Sequence, residues 1–255
     1  MTLLEVKSLK KVYTTRFGGN AVQALENVSF SVESGEYVAI MGESGSGKTT
    51  LLNLLASLDK PTSGEIYLEG KAFSTIKPNA LCAFRRDNLG FVFQDFNLLD
   101  SLSMQDNIVL PLVLKGANYN EMFERLGKLA EQLGISEILQ KYPYEVSGGQ
   151  KQRAAAARAL ITNPKLVLAD EPTGALDSKA AAQLLNLFSD INQQGQTIVM
   201  VTHSVQAASH AKRVLFIKDG SLFNQIYRGE QSYDAMFRMI SDTLSVLQTG
   251  GGSHV

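Results

Sequence analysis

Eight consecutive residues near the start of the chain have the composition and spacing of a loop that binds phosphate. Gly42–Thr49 reads GESGSGKT and fits the pattern G-x-x-x-x-G-K-[ST]. It follows the apolar run Glu36–Met41, a predicted strand, and precedes a leucine-rich predicted helix over Thr49–Leu58. Glycines let backbone N–H groups surround phosphate oxygens, and the helix N-terminus adds the positive end of its dipole. An accidental glycine-rich turn would not explain this setting, so we predict a P-loop.

Two side chains of the loop are suited to a nucleoside triphosphate and its metal ion. We expect the Lys48 ammonium to reach the β- and γ-phosphates and the Thr49 hydroxyl to coordinate Mg²⁺. ATP and Mg²⁺ are therefore the predicted cofactors. The predicted nucleotide-binding residues of this segment are Gly42, Glu43, Ser44, Gly45, Ser46, Gly47, Lys48, Thr49 and Thr50.

A second pair of glycines precedes another predicted helix. Ser147–Gln150 reads SGGQ, and the helix predicted over Gln150–Thr162 is rich in alanine, a strong helix former. Ser147 is a natural N-cap, and the glycines leave the first helical N–H groups uncovered, which would make a second anion site. An ordinary capped helix explains the same residues, so the segment by itself does not decide between the two.

Two adjacent carboxylates follow a short apolar run. Leu166–Ala169 is predicted to be a buried strand that delivers Asp170 and Glu171 at its carboxyl end. There Asp170 can hold Mg²⁺, and Glu171 can polarise an attacking water. Simple surface charges at a strand end are the alternative, but their position downstream of a P-loop favours hydrolysis.

The order of these motifs resembles that of the ABC (ATP-binding-cassette) ATPases, and the resemblance covers nearly the whole chain. It implies that Val146–Gln150 is the signature motif, Leu166–Asp170 the Walker B strand and Glu171 the catalytic carboxylate. Two positions depart from the family pattern. Val146 stands where leucine is usual, and Gly174 stands where many relatives carry serine.

Other single residues take their expected roles from the same resemblance. Gln94 is similar to the Q-loop glutamine, which senses Mg²⁺ and the membrane partner, and Asp177 ends a segment that looks like the D-loop. His203 resembles the switch histidine and is expected to be catalytic, while Tyr13 is expected to stack on adenine. A satisfied polar residue at a strand end is the alternative for His203, and a packing aromatic is the alternative for Tyr13. The expected metal-site residues are Thr49, Gln94 and Asp170.

The family resemblance also gives the second glycine pair a role. In ABC proteins the signature motif of one subunit covers the γ-phosphate bound to the P-loop of its partner. The single P-loop of this chain therefore implies a homodimer that encloses two ATP molecules. The residues expected to contact the opposite subunit's ATP are Ser147, Gly148, Gly149 and Gln150.

The elements that must position these motifs point to an α/β fold. We predict a P-loop NTPase core with a mostly parallel sheet, an N-terminal antiparallel β part and an inserted helical subdomain at about 97–160. The antiparallel part is predicted from the alternating stretches Leu3–Val12 and Gln23–Val32, and the subdomain from helical spacing such as that of Glu121–Leu133. We assign 1–228 to one ABC ATPase domain, 229–249 to a C-terminal helical extension and 250–255 to a flexible tail.

Composition narrows the functional classes. The 24 Lys and Arg residues against 25 Asp and Glu leave a net charge of −1, which provides no overall field to attract nucleic acid. The only cysteine, Cys82, cannot form an internal disulfide, as fits a reducing cytosol. The apolar runs are far shorter than the roughly 18 residues of a spanning helix. These observations fit a cytoplasmic protein, and the ABC resemblance implies that a permease on a separate chain holds it at the inner face of the membrane.

Weaker similarities in short sequence segments indicate the type of transporter. Phe93–Leu99 and Asp170–Ser178 resemble the MacB and lipoprotein-release group, and Asn97–Asp100, Lys141–Pro143 and Phe216–Gly220 look most like Bce-type ATPases. The Bce type implies resistance to bacitracin or lantibiotics, and a sensor histidine kinase reached through the permease. A lipoprotein-release, macrolide or other peptide exporter is the alternative, and a non-transport ABC ATPase acting on nucleic acid is a distant one.

One exposed segment is the expected docking site of the permease. Asp95–Leu102 follows Gln94 and contains the apolar residues Phe96, Leu98 and Leu99. Core packing would explain these residues equally well without the family resemblance.

Overall fold

The computed structural model describes residues 1–14 and 21–249, which form two compact units. Unit 1 comprises Met1–Pro78 and Thr197–Val255, and unit 2 comprises Asn79–Gln196. The domain boundaries drawn from the sequence remain a prediction, and the tail predicted at 250–255 lies outside the described residues.

Strands and helices alternate along much of the chain. The strands are β1 (Thr2–Tyr13), β2 (Val22–Glu33), β3 (Tyr37–Met41), β4 (Ser63–Leu68), β5 (Lys71–Ala72), β6 (Leu89–Val92), β7 (Leu166–Asp170), β8 (Thr197–Val201), β9 (Arg213–Lys218) and β10 (Ser221–Tyr227). The α-helices are α1 (Lys48–Leu55), α2 (Leu81–Asn88), α3 (Met104–Lys115), α4 (Tyr119–Gln132), α5 (Gly148–Leu160), α6 (Ser178–Gln193), α7 (Val205–Ser209) and α8 (Tyr233–Thr249).

Unit 1 contains the predicted antiparallel β part. Its strand order is β2-β1-β4-β5, and Leu4 of β1 lies opposite Val32 of β2 and Leu68 of β4. These three side chains are buried, whereas Lys7 between the buried residues of β1 is exposed. Such alternation is what a strand with one covered face requires.

The remaining β-structure of unit 1 is built around parallel strands. β3 pairs in parallel with β8 and β9, so that Ala39 lies opposite Met200 on one side and Val214 on the other. All five residues of β3 are buried, which explains why the strand reads as a continuous apolar run. β10 joins β9 in an antiparallel hairpin that the sequence pattern did not reveal.

Unit 2 combines a parallel strand pair with helices. β6 pairs with β7, and Leu89 lies opposite Leu166. α3 packs against α4 and α5, and the alanines of α5 at 154–157 are all buried. Parallel strands in both units, the antiparallel β part and the helical region confirm the predicted α/β class.

Helix α1 ends earlier than the sequence predicts. Ser57 has φ 52°, its N–H donates to Leu54 O, and the N–H of Leu58 donates to Asn53 O at 2.9 Å. These paired bonds are those of a Schellman motif, which usually has glycine at the left-handed position. Serine stands there instead, so the usual signal for the end of a helix is missing.

Candidate functional site

The predicted P-loop lies in unit 1, between buried β3 and α1. At two points the loop passes so close to other backbone atoms that only glycine fits. A Cβ at Gly42 would lie 2.1 Å from Ile217 O, and a Cβ at Gly47 would lie 2.4 Å from Ala24 O, with φ +100° in addition. Gly47 is also the N-cap of α1, so no side chain accepts hydrogen bonds from the first-turn N–H groups at that position. Anion sites at helix N-termini have this arrangement.

The side chain of Lys48 bends back over the loop. Its Nζ donates to Gly42 O at 2.9 Å and to Glu43 O at 2.6 Å, and it lies 3.4 Å from Ser46 Oγ. The ammonium is therefore held at the centre of the loop, where phosphate oxygens would be bound. Thr49 is exposed and Thr50 partly exposed in the first turn of α1.

His203 shares a cavity with the start of the P-loop. It follows β8, and with Gly42 and Glu43 it lines a cavity of about 160 Å³. The other lining residues are Ile217, Lys218, Leu244 and Leu247. The last two belong to α8, and Lys218 Nζ donates to Leu247 O at 2.9 Å. The structure thus brings the predicted switch histidine to the P-loop, and it adds a helix that sequence reasoning did not connect with the site.

Tyr13 is the last residue of β1, and its ring is held by two partners. Its hydroxyl donates to Asp59 Oδ2 at 2.9 Å, and Lys11 Nζ lies 4.7 Å from the ring centroid. Lys11 also forms a 2.7 Å ion pair with Asp59. Partial burial opposes ionisation of Asp59, but hydrogen bonds from Lys11, Lys60 N–H and Tyr13 outweigh it and lower the pKa of this carboxyl. Tyr13 as a whole residue is 42% exposed, which leaves part of its surface accessible to a stacking partner.

The two predicted hydrolytic carboxylates lie in unit 2. Asp170 is the last residue of β7, and Glu171 follows with φ 43°. A left-handed glutamate costs on the order of 1–3 kcal/mol and persists only where its surroundings fix it. The Gly174 N–H donates to Glu171 O at 2.9 Å and closes a tight turn. Strained backbone of this kind is concentrated at functional sites.

Gln94 lies just after β6 in the same unit. Its side chain is exposed and passes close to Gly174, where a Cβ would meet Gln94 Cδ at 3.0 Å. The buried amide of Gln152 donates from Nε2 to Phe93 O at 3.0 Å and to Pro172 O at 2.7 Å. Sequence reasoning missed Gln152, because its two partners are 59 and 20 residues away.

The glycine pair of the predicted signature begins α5. Ser147 Oγ accepts from the Gln150 N–H at 3.3 Å, and Gln150 Oε1 accepts from the Ser147 N–H at 3.0 Å. This reciprocal capping box confirms Ser147 as the N-cap. Gly148 and Gly149 therefore form the first turn of the helix. Asp177 has a similar local role, because its Oδ1 accepts from the Ala180 N–H at the start of α6.

The segment after Gln94 is fixed by the buried side chain of Asn107 and the partly exposed side chain of Arg158. Asn107 accepts from the Leu99 N–H and donates to Leu99 O, and Arg158 donates to the carbonyl oxygens of Phe96 and Asn97. Phe96 and Asn97 both have positive φ. The Leu99 side chain is 48% exposed, whereas Phe96 and Leu98 are only partly exposed.

Two residues of the predicted metal site carry oxygen ligands of the kind that Mg²⁺ prefers. Among the described residues no three His, Cys, Asp or Glu side chains form a group that could hold a metal. Mg²⁺ usually binds through one or two protein oxygen ligands together with substrate phosphates and water. The Thr49 hydroxyl and the Asp170 carboxylate fit that requirement chemically.

Comparison with known proteins agrees with these motifs. The family model described as ABC transporter matches residues 25–174, more than half of the chain. The uncharacterized ABC transporter ATP-binding protein YvcR of Bacillus subtilis is 52% identical over 255 residues, which cover 100% of this chain and 97% of that protein. The bacitracin export ATP-binding protein BceA of Halalkalibacterium halodurans is 48% identical over 97% of each chain.

A solved structure gives the same result for the fold. The ATP-binding cassette MJ0796, a dimer in a post-hydrolysis state bound to ADP and Pi, matches with a TM-score of 0.80 and 38% identity. The match covers 88% of this chain and 98% of that one.

Proposed function

The chain belongs to the ATP-binding subunits of ABC transporters, and we propose that it energises a transporter that protects its host cell against bacitracin and lantibiotics. As a member of that family it binds ATP and hydrolyses it to drive transport. The observation that carries the ATPase function is the P-loop, in which Lys48 is held over the loop carbonyls and His203 lines the adjoining cavity.

The site residues have distinct roles in the proposed mechanism. Lys48 exchanges its carbonyl partners for phosphate oxygens, and Tyr13 stacks on the adenine. Thr49, Gln94 and Asp170 would hold Mg²⁺, which would supply positive charge to offset that of the β- and γ-phosphates. Glu171 orients and deprotonates the attacking water. His203 contacts the nucleotide on its γ-phosphate side.

Replacing the proposed catalytic carboxylate tests this mechanism directly. Glu171→Gln keeps the size of the side chain but loses its basicity, so kcat should fall by about 10²-fold or more while ATP affinity is kept. Glu137→Gln, at an exposed glutamate of unit 2, should keep normal turnover. Substantial residual hydrolysis in Glu171→Gln would show that another carboxylate acts on the water.

We propose that two copies of the chain enclose two ATP molecules through their signature motifs. The start of α5 suits this role, because a Cβ at Gly148 would make only ordinary contacts, the nearest being 3.8 Å from Ala175 O. Packing within the described residues therefore does not require glycine there, whereas close approach of another molecule would. Gel filtration of Glu171→Gln should give a dimer with ATP and a monomer with ADP. A monomer under both conditions would contradict the proposal.

The proposed membrane partner is a permease on a separate chain, which places this subunit at the cytoplasmic face. Among the described residues, no helix combines the length and apolar character that crossing a membrane requires. The proposed docking surface is Asp95–Leu102, which Asn107 and Arg158 hold in place and where Leu99 is the most exposed apolar side chain. In a Bce-type system the permease would in turn connect to a sensor histidine kinase.

The proposed substrate class rests on sequence similarity. It is supported by the 48% identity with a protein named for bacitracin export. A lipoprotein-release, macrolide or other peptide exporter would use the same ATPase site and is the alternative. A role on nucleic acid is the distant alternative, and a net charge of −1 does not favour it.

Deleting the gene and exposing the host to bacitracin and lantibiotics tests the substrate class. Complementation with the wild type should restore protection, and Glu171→Gln should not. Leu99→Asn should keep the ATPase activity of the isolated chain but lose protection. Leu114→Asn is its matched control, because Leu114 is a 67% exposed leucine of unit 2 outside the proposed docking surface. Unchanged peptide sensitivity in the deletion strain would exclude the substrate class and leave the ATPase function intact.

A further inference from the structure

Gln152 on α5 connects two backbone segments that flank the proposed hydrolytic residues. Its side chain is fully buried, and the two N–H groups of one amide donate to Phe93 O and Pro172 O. Phe93 directly precedes Gln94, and Pro172 directly follows Glu171. A single side chain therefore fixes the backbone next to both residues.

The amide oxygen of Gln152 does not explain why glutamine stands at this position. Gln152 Oε1 is buried and has no hydrogen-bond partner in the part of the chain that the structure describes. A buried amide oxygen without a partner costs free energy, which an apolar side chain of the same shape would avoid. The benefit of glutamine at this position must then come from its two donors.

Those donors act where the backbone is strained. Glu171 has φ 43°, and its turn is closed by the Gly174 N–H. A glutamate in this region needs external restraint to keep its conformation. The Nε2 bond of Gln152 to Pro172 O, at 2.7 Å, supplies such a restraint from the neighbouring helix.

The same turn also contacts Gln94. The Gly174 backbone lies so close that a Cβ there would be 3.0 to 3.3 Å from three side-chain atoms of Gln94. The tethers to Phe93 O and Pro172 O thus set the distance between the Gln94 segment and the Glu171 turn. A change of a few tenths of an ångström in either tether would alter this contact.

We propose that Gln152 is a positioning residue for hydrolysis, which holds Glu171 in its left-handed conformation and fixes it relative to Gln94. Gln152 has no expected contact with ATP, so it acts through Glu171. This proposal rests on the proposed catalytic role of Glu171. It explains why the helix that starts with the signature motif carries a buried, half-satisfied amide in its second turn.

The test is the steady-state ATPase activity of the full chain with Gln152→Met, which keeps the length and removes both donors. We expect kcat to fall about tenfold, equivalent to roughly 1.4 kcal/mol in transition-state free energy, with KM for ATP within about twofold of wild type. Gln152→Leu, which also removes both donors and leaves no buried polar atom unpaired, should show the same split. It provides the answer if the methionine variant does not fold.

Two controls separate positioning from general stability. Leu160→Ala removes a buried side chain from the same helix, and it should lower the melting temperature while keeping kcat. Glu171→Gln, measured in parallel, should be inactive. A Gln152→Met enzyme with wild-type kcat, or with kcat lowered only as far as in a Leu160→Ala enzyme of equal stability, would overturn the proposal. An active Glu171→Gln enzyme would instead overturn the proposed catalytic role itself.

Discussion

Asp59 pairs with Lys11 and accepts a hydrogen bond from Tyr13, the residue proposed to stack on adenine. Asp59→Asn removes the negative charge of this side chain but keeps its shape. Asp59 forms a 2.7 Å ion pair with Lys11, and the two side chains are 31% and 11% exposed. Exposed ion pairs contribute about 0–1 kcal/mol, whereas removing one partner of a fully buried pair costs about 3–5 kcal/mol. Lys11 keeps a 2.8 Å bond to Lys60 O in the variant, so a value of about 1–2 kcal/mol is expected for Asp59→Asn.

The loss of stability in Asp59→Asn should be smaller at low pH. Because the pKa of Asp59 is lowered on folding, its contribution is fully present above its ordinary value of 3.8 and is lost as pH falls through the folded value. For a chain of this size about 1–2 kcal/mol corresponds to roughly 2–8 °C in Tm at pH 7. The Tm difference between wild type and Asp59→Asn should therefore stay constant down to about pH 5 and should shrink as pH falls below 3.8.

Thermal unfolding followed by circular dichroism measures this difference. Glu124→Gln is the matched control, because Glu124 and Lys128 also form a 2.7 Å pair but are 68% and 77% exposed. That variant should leave the Tm unchanged. Equal Tm values for wild type and Asp59→Asn at pH 7, or a difference that is the same at pH 7 and at about pH 3, would refute this account of the Lys11–Asp59 pair.

Further predictions concern nucleotide binding and the loop backbone. Lys48→Ala should raise the calorimetric Kd for ATP more than Tyr13→Ala does, since stacking of this kind contributes about 1–3 kcal/mol; the reverse order would contradict the proposed adenine site. Gly47→Ala should lower both the Tm and ATP affinity, because φ +100° and a Cβ 2.4 Å from Ala24 O force the loop to move. Normal ATP binding by that variant would show that the loop tolerates the shift. Gly174→Ser should lower kcat several-fold by pushing the Gln94 side chain, and an unchanged kcat would show that this side chain adapts freely.

The sequence predicted those parts of the site whose residues lie close together along the chain. The P-loop could be found because its strand, turn and helix follow one another within about twenty residues. Ser147 could be identified as an N-cap because its partner Gln150 is three residues away. β3 was recognisable because a parallel strand that is buried on both faces has no polar positions.

Contacts between distant segments could not be predicted in the same way. Tyr13 and its partner Asp59 are 46 residues apart, and neither residue type by itself indicates the pair. The cavity beside His203 is lined partly by α8, whose apolar residues indicate only an amphipathic helix. β10 escaped detection because all of its residues are exposed or partly exposed, which weakens the alternation of apolar and polar positions.

The lone thiol of the chain offers a practical route to observing conformational change. Cys82 is exposed in α2 of unit 2, and Arg85 Nη2 lies 3.3 Å from its Sγ. A maleimide dye will therefore attach at one known position in the native sequence, without removal of other cysteines. A second cysteine introduced at an exposed site of unit 1 would complete a donor–acceptor pair for energy-transfer measurements. Such a pair would measure whether the distance between the two labelled positions changes when ATP is added or hydrolysed.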